Sequence, residues 1–189
     1  TANNLLNSYN ILTPVVTDLD PQDGTNQRAS YDNWLGGTDK HLWWYQSCTS
    51  HSCGGVGSPA TDFQWPSYMI DATPVRNRVF QWLAFINRIE GELYYQLDWC
   101  WIATCQTIDP WDGVYAYGGN GDGTLMYPGT VAKIGGTTPI ALASIRLKHI
   151  RDGMEDFEYL HLLSAGGNDA FARTTAASFI ANAYTFNND

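Results

Sequence analysis

The chain has 189 residues and a mass of 21.0 kDa, enough for one hydrophobic core, so it forms a single domain (residues 1–189) or part of a larger one. Its 10 Lys and Arg residues stand against 19 Asp and Glu residues, and the formal net charge is -9. Because nucleic acids are bound through clustered Lys and Arg, this balance argues against a nucleic-acid partner. It also leaves no basic patch for an anionic membrane surface.

Aromatic side chains are frequent and charged ones are scarce. Phe, Trp and Tyr make up 14% of the residues, including 8 Trp and 11 Tyr, while 15% of the residues are charged. This composition suits a neutral, polyhydroxylated ligand such as a sugar, whose apolar ring face can lie on an indole or a phenol ring. It equally suits a Trp-rich core, since aromatic side chains dominate core burial. Composition alone leaves both interpretations open.

The first half of the chain predicts two strands. Residues 10–16, "NILTPVV", are apolar and β-branched and indicate a buried strand that runs into an acidic loop. Residues 40–48, "KHLWWYQSC", indicate a second strand that is dense in aromatic residues.

A helix and a third strand follow. Residues 73–91 predict a helix, because Val75, Val79 and Leu83 keep the spacing of a buried helical face. Pro74 stands at the first helical position, where its missing N–H is tolerated. Residues 92–102, "ELYYQLDWCWI", then predict the third strand.

The second half begins with a long loop and ends in helices. Residues 103–139 are rich in Gly, Asp, Thr and Pro, and a loop of this length is more often functional than not, so we place it on the active-site side. Residues 140–166 predict a long helix, and residues 169–184 predict a last one.

Strands that alternate with helices predict an α/β fold with a parallel sheet. About three β-α units plus terminal helices are too few for a closed barrel of eight strands, and they fit the C-terminal part of a (β/α)8 TIM-type barrel. In such barrels the carboxyl ends of the strands carry the active site. Here those ends read "TDLD", "WWYQSC" and "QLDWCW", all rich in acidic and aromatic residues.

Four cysteines form two pairs of identical spacing. Cys48 with Cys53 and Cys100 with Cys105 predict two small disulfide loops and therefore an oxidising, extracellular compartment. A zinc site is the alternative, with His51 between the first pair, but zinc ligands are usually spaced by two to four residues and four must converge. The histidines show no ligand spacing among themselves. We therefore expect no metal and no cofactor.

Two motifs carry a resemblance to a known family. The stretch "GDGTLMYPG" covers residues 121–129, and "PIALASIRLKHIRDGMEDFEYLHLL" follows it, with "GELYYQLDW" upstream. Together they resemble the catalytic barrel of glycoside hydrolase family 123. The resemblance implies a secreted, carbohydrate-active protein of the N-acetylhexosaminidase type, in which the acetamido oxygen of the substrate attacks the anomeric carbon.

The resemblance also implies an adjacent acidic pair that orients the acetamido group and protonates the leaving oxygen. Its place is an earlier barrel strand than those matched here. The only adjacent acids in this chain, Glu155 and Asp156, fall inside a predicted helix. We therefore identify no catalytic residue in this chain and expect the N-terminal part of the same barrel to supply the pair. Whether this chain acts as an enzyme stays undecided.

Candidate sugar contacts lie at the predicted strand ends and in the glycine-rich motif. They are Trp44, Tyr45, Asp98, Trp99, Trp101, Asp122 and Tyr127, with Asp18 and Asp20 as further acidic contacts. For the tryptophans the alternative is barrel core, for Asp122 a self-satisfied turn, and for the two N-terminal acids solvated loop positions or a calcium site.

Two functions of different class remain open. In one, the segment supplies substrate-binding walls and loops of a glycoside hydrolase. In the other, it belongs to a glycan-binding or extracellular assembly protein that keeps the barrel without its catalysis. An upstream Asp-Glu or Asn-Glu doublet would distinguish them.

Overall fold

The structure is a computed structural model. It describes residues 8–19, 26–47, 67–102, 105, 109–116, 119–183 and 185–186. No helix within these ranges is both long enough and apolar enough to cross a membrane.

Strands and helices alternate along most of the chain. In order, the elements are β1 (Ile11–Leu12), α1 (Val16–Leu19), α2 (Arg28–Leu35), β2 (His41–Gln46), α3 (Pro74–Arg78), α4 (Phe80–Ile86), β3 (Gly91–Tyr94), α5 (Trp99–Ile102), β4 (Tyr115–Ala116), β5 (Gly119–Asn120), β6 (Met126–Gly129), α6 (Val131–Ile134), β7 (Ile140–Ala143), α7 (Ile145–Leu163), α8 (Asp169–Phe179), β8 (Ile180–Asn182) and β9 (Thr185–Phe186). A π-helical turn, Ser164–Asn168, joins α7 to α8.

The first three strands form one parallel sheet in the order β1-β2-β3. Residue Ile11 pairs with His41, and Trp44 pairs with Glu92. The predicted α/β class with a parallel sheet is therefore confirmed. The predicted second strand is present as His41–Gln46.

One face of this sheet is covered by helices. Leu42 and Trp44 are completely buried there, and the ring of Trp44 lies 4.6 Å from that of Phe80 on α4. The opposite face is more open. In-register partners share a face, and Tyr45 with its partner Leu93 lies on this side, where Leu93 is 49% exposed.

The crossover helices α3 and α4 pack closely against α7. A Cβ at Gly153 of α7 would lie 2.4 Å from the carbonyl oxygen of Arg78, so no larger residue fits there. Arg78 also forms two hydrogen bonds to Asp156, at 2.6 and 2.7 Å. Close packing explains a glycine in the middle of a helix, where it costs about 1 kcal/mol relative to alanine.

The predicted third strand over 92–102 was too long. Pairing with β2 ends at Tyr94, and residues Trp99–Ile102 form the short helix α5. Beyond the sheet, the carbonyl of Leu97 accepts hydrogen bonds from the N–H groups of Leu125 and Met126. Strand alternation therefore does not govern the directions of Trp99 and Trp101.

Other boundaries also differ. The predicted helix over 140–166 begins with strand β7, and α7 starts only after Ser144, whose Oγ accepts a hydrogen bond from the N–H of Leu147 at 3.2 Å. The predicted loop over 103–139 contains β4, β5, β6 and α6. The first predicted strand is only β1 followed by α1, and α2 was not predicted.

The remaining two predicted helices are shorter than expected. The helix predicted over 73–91 is divided at Val79 and ends at Ile86. The last predicted helix ends at Phe179 and gives way to β8.

Candidate functional site

The glycine-rich motif lies at the carboxyl end of β3. The hydroxyl of Tyr94, the last residue of that strand, accepts a hydrogen bond from the N–H of Gly123 at 2.6 Å. The same hydroxyl donates to Oδ1 of Asp122 at 3.2 Å. Gly121 and Gly123 have φ angles of 84° and 70°, a region in which residues with a side chain are strained. The glycines therefore let this loop turn tightly onto the strand end.

Arg146, on the first turn of α7, holds the loop from the helix side. Its buried guanidinium donates to the carbonyl of Gly121 at 2.8 Å and also to the carbonyls of Thr124 and Tyr68. These bonds to backbone carbonyls tie the motif, α7 and the segment before α3 together.

A buried acid lies below the loop, on the helix-facing side of β3. Oε2 of Glu92 accepts hydrogen bonds from Tyr68 Oη at 2.8 Å and from Gln81 Nε2 at 2.7 Å. Its Oε1 is inaccessible and has no partner among the described residues, although the residue as a whole is partly exposed. Burial raises the pKa of Glu92 to about 7, against the lowering effect of these two hydrogen bonds.

Glu92 supports the site and does not face it. It shares its side of the sheet with Trp44, which packs against α4. Tyr68 connects Glu92 to the loop anchor Tyr94, because the rings of Tyr68 and Tyr94 lie 5.2 Å apart in an edge-on arrangement. Burial raises the pKa of Tyr94 well above its usual value, so its hydroxyl stays protonated and holds Asp122.

Three aromatic residues after β3 form a cluster that we call the aromatic rim: Tyr95, Trp99 and Trp101. Tyr95 is 55% exposed and Trp101 is 38% exposed. The rings of Tyr95 and Trp99 lie 5.8 Å apart, and the Trp101 indole donates to the carbonyl of Met126 at 2.9 Å. These contacts hold the rings in place while Tyr95 and Trp101 remain accessible to solvent.

A disulfide between Cys100 and Cys105 links α5 to the segment that follows it. The two cysteines are buried with Val114, and Trp99 and Tyr127 pack against them. This predicted bridge is present in the structure. The other predicted pair, Cys48 and Cys53, lies outside the described residues.

A second aromatic pair lies beyond the rim. The rings of Trp111 and Tyr127 are 5.1 Å apart, and the Trp111 indole donates to the carbonyl of Pro128 at 2.8 Å. The sequence motifs indicated Tyr127 as a candidate contact, but not Trp111. The available signal was an aromatic residue inside the turn-forming run "DPWDG", where no core position is expected.

The remaining predicted contacts are scattered. Trp44 is completely buried against Phe80, so its selection was wrong and it belongs to the core. Tyr45 lies partly buried on the open face of the sheet. Asp122 is only 7% exposed and acts as an anchor of the loop.

Asp98 and Asp18 are partly buried acids. The Asp98 carboxylate accepts a hydrogen bond from Gln96 Nε2 at 3.0 Å. The backbone of Asp98 forms an isolated antiparallel β-bridge with Thr124 beside the aromatic rim. Asp18 lies on α1 and raises the pKa of Tyr31, after the larger effect of burial, by its charge and its hydrogen bond. Asp20 lies outside the described residues. Within the described ranges, no three His, Cys, Asp or Glu residues gather in a way that could hold a metal ion.

A parallel sheet with helices on one face and an aromatic cluster at its carboxyl edge is compatible with a glycoside hydrolase domain. A family model described as glycoside hydrolase 123, catalytic domain, matches residues 2–163, and the chain belongs to this family. The resemblance indicated by the sequence motifs is thereby confirmed, and it implies a glycan substrate. A search of curated proteins found no match for the chain.

Proposed function

We propose that this chain is the substrate-binding, C-terminal part of a secreted (β/α)8 barrel that hydrolyses N-acetylhexosaminides. The observation that carries this proposal is the aromatic rim, since Tyr95 and Trp101 are 55% and 38% exposed at the carboxyl edge of a parallel sheet. An exposed, hydrogen-bonded indole can take the apolar face of a sugar ring at little entropic cost. Asp98, beside the rim, is placed to accept hydrogen bonds from sugar hydroxyls.

The proposed chemistry divides between this segment and the rest of the barrel. The acetamido oxygen of the bound sugar attacks the anomeric carbon, and an acidic pair orients the acetamido group and protonates the leaving oxygen. The adjacent acids of this chain cannot serve, because Asp156 is bound to Arg78 and to the Trp82 indole at 2.8 Å. The acidic pair therefore comes from an earlier strand.

The open face of the sheet supports a missing N-terminal part of the same barrel. Ile11 and Leu93 are 43% and 49% exposed, respectively, which is costly for a free apolar surface. In a complete barrel, further strands would cover this face. The Cys100–Cys105 disulfide supports an extracellular location, because such bonds persist in oxidising compartments.

The test uses the native polypeptide, whose intact mass shows whether more chain is present. It is assayed with methylumbelliferyl N-acetyl-β-glucosaminide and N-acetyl-β-galactosaminide, and its binding to the free sugars and their methyl glycosides is measured by calorimetry. Hydrolysis that is lost with Trp101→Ala supports the proposal. Binding without hydrolysis would instead favour the non-catalytic glycan-binding alternative, and neither binding nor hydrolysis would overturn both.

A further inference from the structure

We propose that Trp111 and Tyr127 form a second sugar-binding position next to Trp101, so that the protein binds at least two consecutive sugar residues of a glycan. This inference rests on the proposed function, because it extends the same aromatic surface. It assigns a role to Trp111, which the sequence motifs did not indicate.

The first argument is the way the two indoles share one strand edge. Strand β6 pairs with β7 on one side, and on the other side the N–H of Met126 bonds to the carbonyl of Leu97. The backbone N–H and C=O groups of Met126 therefore point away from β7. The backbone of Pro128, two residues later, has the same orientation, so the missing N–H of this proline removes no hydrogen bond between β6 and β7. The carbonyls of these two residues accept the indole N–H groups of Trp101 and Trp111.

This arrangement sets the spacing of the two rings. Residues two apart on a strand are separated by about 7 Å, so the two indole N–H groups lie about that far apart along β6. Two indoles in a row along one strand can therefore offer stacking surfaces to consecutive sugar residues.

The second argument is that Trp111 is exposed and yet held in place. It is 43% exposed, but its backbone N–H donates to Oδ1 of Asp109 at 3.0 Å and its indole is fixed by Pro128. Asp109 is itself bound to Lys133 at 3.2 Å, and the pKa of its carboxyl is lowered, mainly by the hydrogen bond from Trp111. A ring fixed before binding loses little conformational entropy when a ligand stacks on it.

The third argument is the cavity beside Trp111 and Tyr127. It has a volume of about 570 Å³ and lies between the β6-β7 hairpin and the first turns of α3 and α7. This is within the usual size of a small-molecule site. Among the residues that the structure describes, its lining includes the apolar Ile70 and Leu142 and no carboxylate.

The polar groups of the cavity fit a neutral ligand. The imidazole of His149 lines it and has no hydrogen-bond partner among the described residues. Arg146 also lines it, but its guanidinium is bonded to backbone carbonyls and is not available as an anion receptor. Aromatic side chains, an imidazole that can exchange hydrogen bonds and a guanidinium already satisfied by carbonyls match a neutral pyranose ring better than a charged sugar.

The experiment compares a monosaccharide with a disaccharide on the native polypeptide. The probes are the methyl β-glycosides of N-acetylglucosamine and N-acetylgalactosamine, and the sulfur-linked, non-hydrolysable β-disaccharides of the same two sugars. Dissociation constants are measured by calorimetry for the wild type, Trp111→Ala, Trp111→Phe and Tyr159→Ala. Tyr159 is the matched control, because it is 73% exposed and lies on α7 about 20 Å from the first turn of that helix.

The Trp111→Ala variant loses one stacking ring, so its dissociation constant for the disaccharide should rise about 10-fold to 100-fold, by analogy with bases stacked on aromatic residues. Monosaccharide binding should stay unchanged, Trp111→Phe should keep most of the affinity, and Tyr159→Ala should match the wild type. A disaccharide affinity unchanged in Trp111→Ala would overturn this inference and leave the proposed function standing. Wild-type protein that binds none of the probes would overturn both.

A second readout does not depend on the stability of the alanine variant. The indole N–H signal of Trp111 in a nitrogen–proton correlation spectrum is identified by its absence in Trp111→Phe. It should shift when the disaccharide is added and stay in place with the monosaccharide. A Trp111 indole chemical shift that changes with neither probe would contradict the second sugar-binding position.

Discussion

The hydroxyl of Tyr94 bonds to the carboxylate of Asp122 at 3.2 Å, which links the last residue of strand β3 to a loop 28 residues further along the chain. The same hydroxyl accepts the N–H of Gly123. One phenol group thus satisfies both a buried acid and a turn amide. The position of the glycine-rich motif over the sheet edge depends on this contact and on Arg146.

Replacing Tyr94 by Phe should destabilise the protein by about 1–3 kcal/mol, because a buried carboxylate and a turn amide each lose a partner. The measurement is the free energy of unfolding in denaturant. Tyr159→Phe, which removes the hydroxyl of a tyrosine that is 73% exposed, is the control and should be neutral. Equal values for the two variants would mean that the hydroxyl of Tyr94 does not hold the loop.

The buried acid Glu92 should make stability depend on pH. Its pKa is raised in the fold to about 7, from about 4.5 in the unfolded chain. The unfolded chain therefore ionises first, so stability is highest below about pH 4.5 and falls as the pH rises to about 7. The full shift corresponds to about 3 kcal/mol.

Glu92→Gln keeps the shape of the side chain and removes its ionisation. The variant should therefore be more stable than the wild type at pH 8, and the difference should shrink towards pH 5. Denaturant unfolding at both pH values measures it. The same difference at both pH values would show that ionisation of Glu92 is not responsible.

Gly153→Ala should destabilise the protein although alanine is the better helix former by about 1 kcal/mol. The added Cβ would lie 2.4 Å from the carbonyl oxygen of Arg78 and 3.0 Å from Gln81, and such overpacking typically costs about 1–3 kcal/mol. Gly166→Ala is the matched control, since a Cβ there meets nothing within 4 Å. A stabilised Gly153→Ala variant, measured by its melting temperature, would show that α7 can move away from α3.

Two tryptophans should separate folding from binding. Trp44→Ala should cost about 3–5 kcal/mol of stability, because its ring is completely buried against Phe80. Trp101→Ala should change the melting temperature little and weaken glycan binding by about 1–3 kcal/mol. Melting curves and a glycan array measure both effects. A large drop in melting temperature for Trp101→Ala would indicate that this indole, too, serves packing.

The cysteines should form local bridges. Cys100–Cys105 closes a short loop, so its removal by double substitution with Ser should cost about 2 kcal/mol, at the low end for disulfides. Peptide mapping without reduction should find this pair and also Cys48–Cys53. Free thiols at all four positions, or bridges between the two pairs, would contradict the assignment and remove the main support for an extracellular location.

Local pattern was sufficient for several features. The aromatic run of β2 predicted a strand, because β-branched and aromatic residues fit a pleated surface. Pro74 at the first position of α3 marked a helix start, as the structure confirms. The motif at residues 121–129 and the helix after it indicated the family.

Other features depended on contacts between distant parts of the chain. The run 92–102 is apolar enough for a strand, but Leu97 bonds to Leu125 and Met126 instead of to β2, and the chain goes on into α5. Alternation along β2 shows that Trp44 and Tyr45 point to opposite faces. It does not say which face receives helix α4, and that packing alone made Trp44 a core residue.

The sequence by itself therefore determined the class of the fold and the family, since these follow from periodicity and motif, while its composition left a sugar-binding surface and an aromatic core both open. Only the tertiary structure decided which aromatic rings stay exposed. Trp101 and Trp111 lie side by side because both bond to β6, a strand that follows them by at least 15 residues. The exposure of a side chain depends on which residues pack over it in space, and these residues are distant in the sequence, so the local sequence does not predict it.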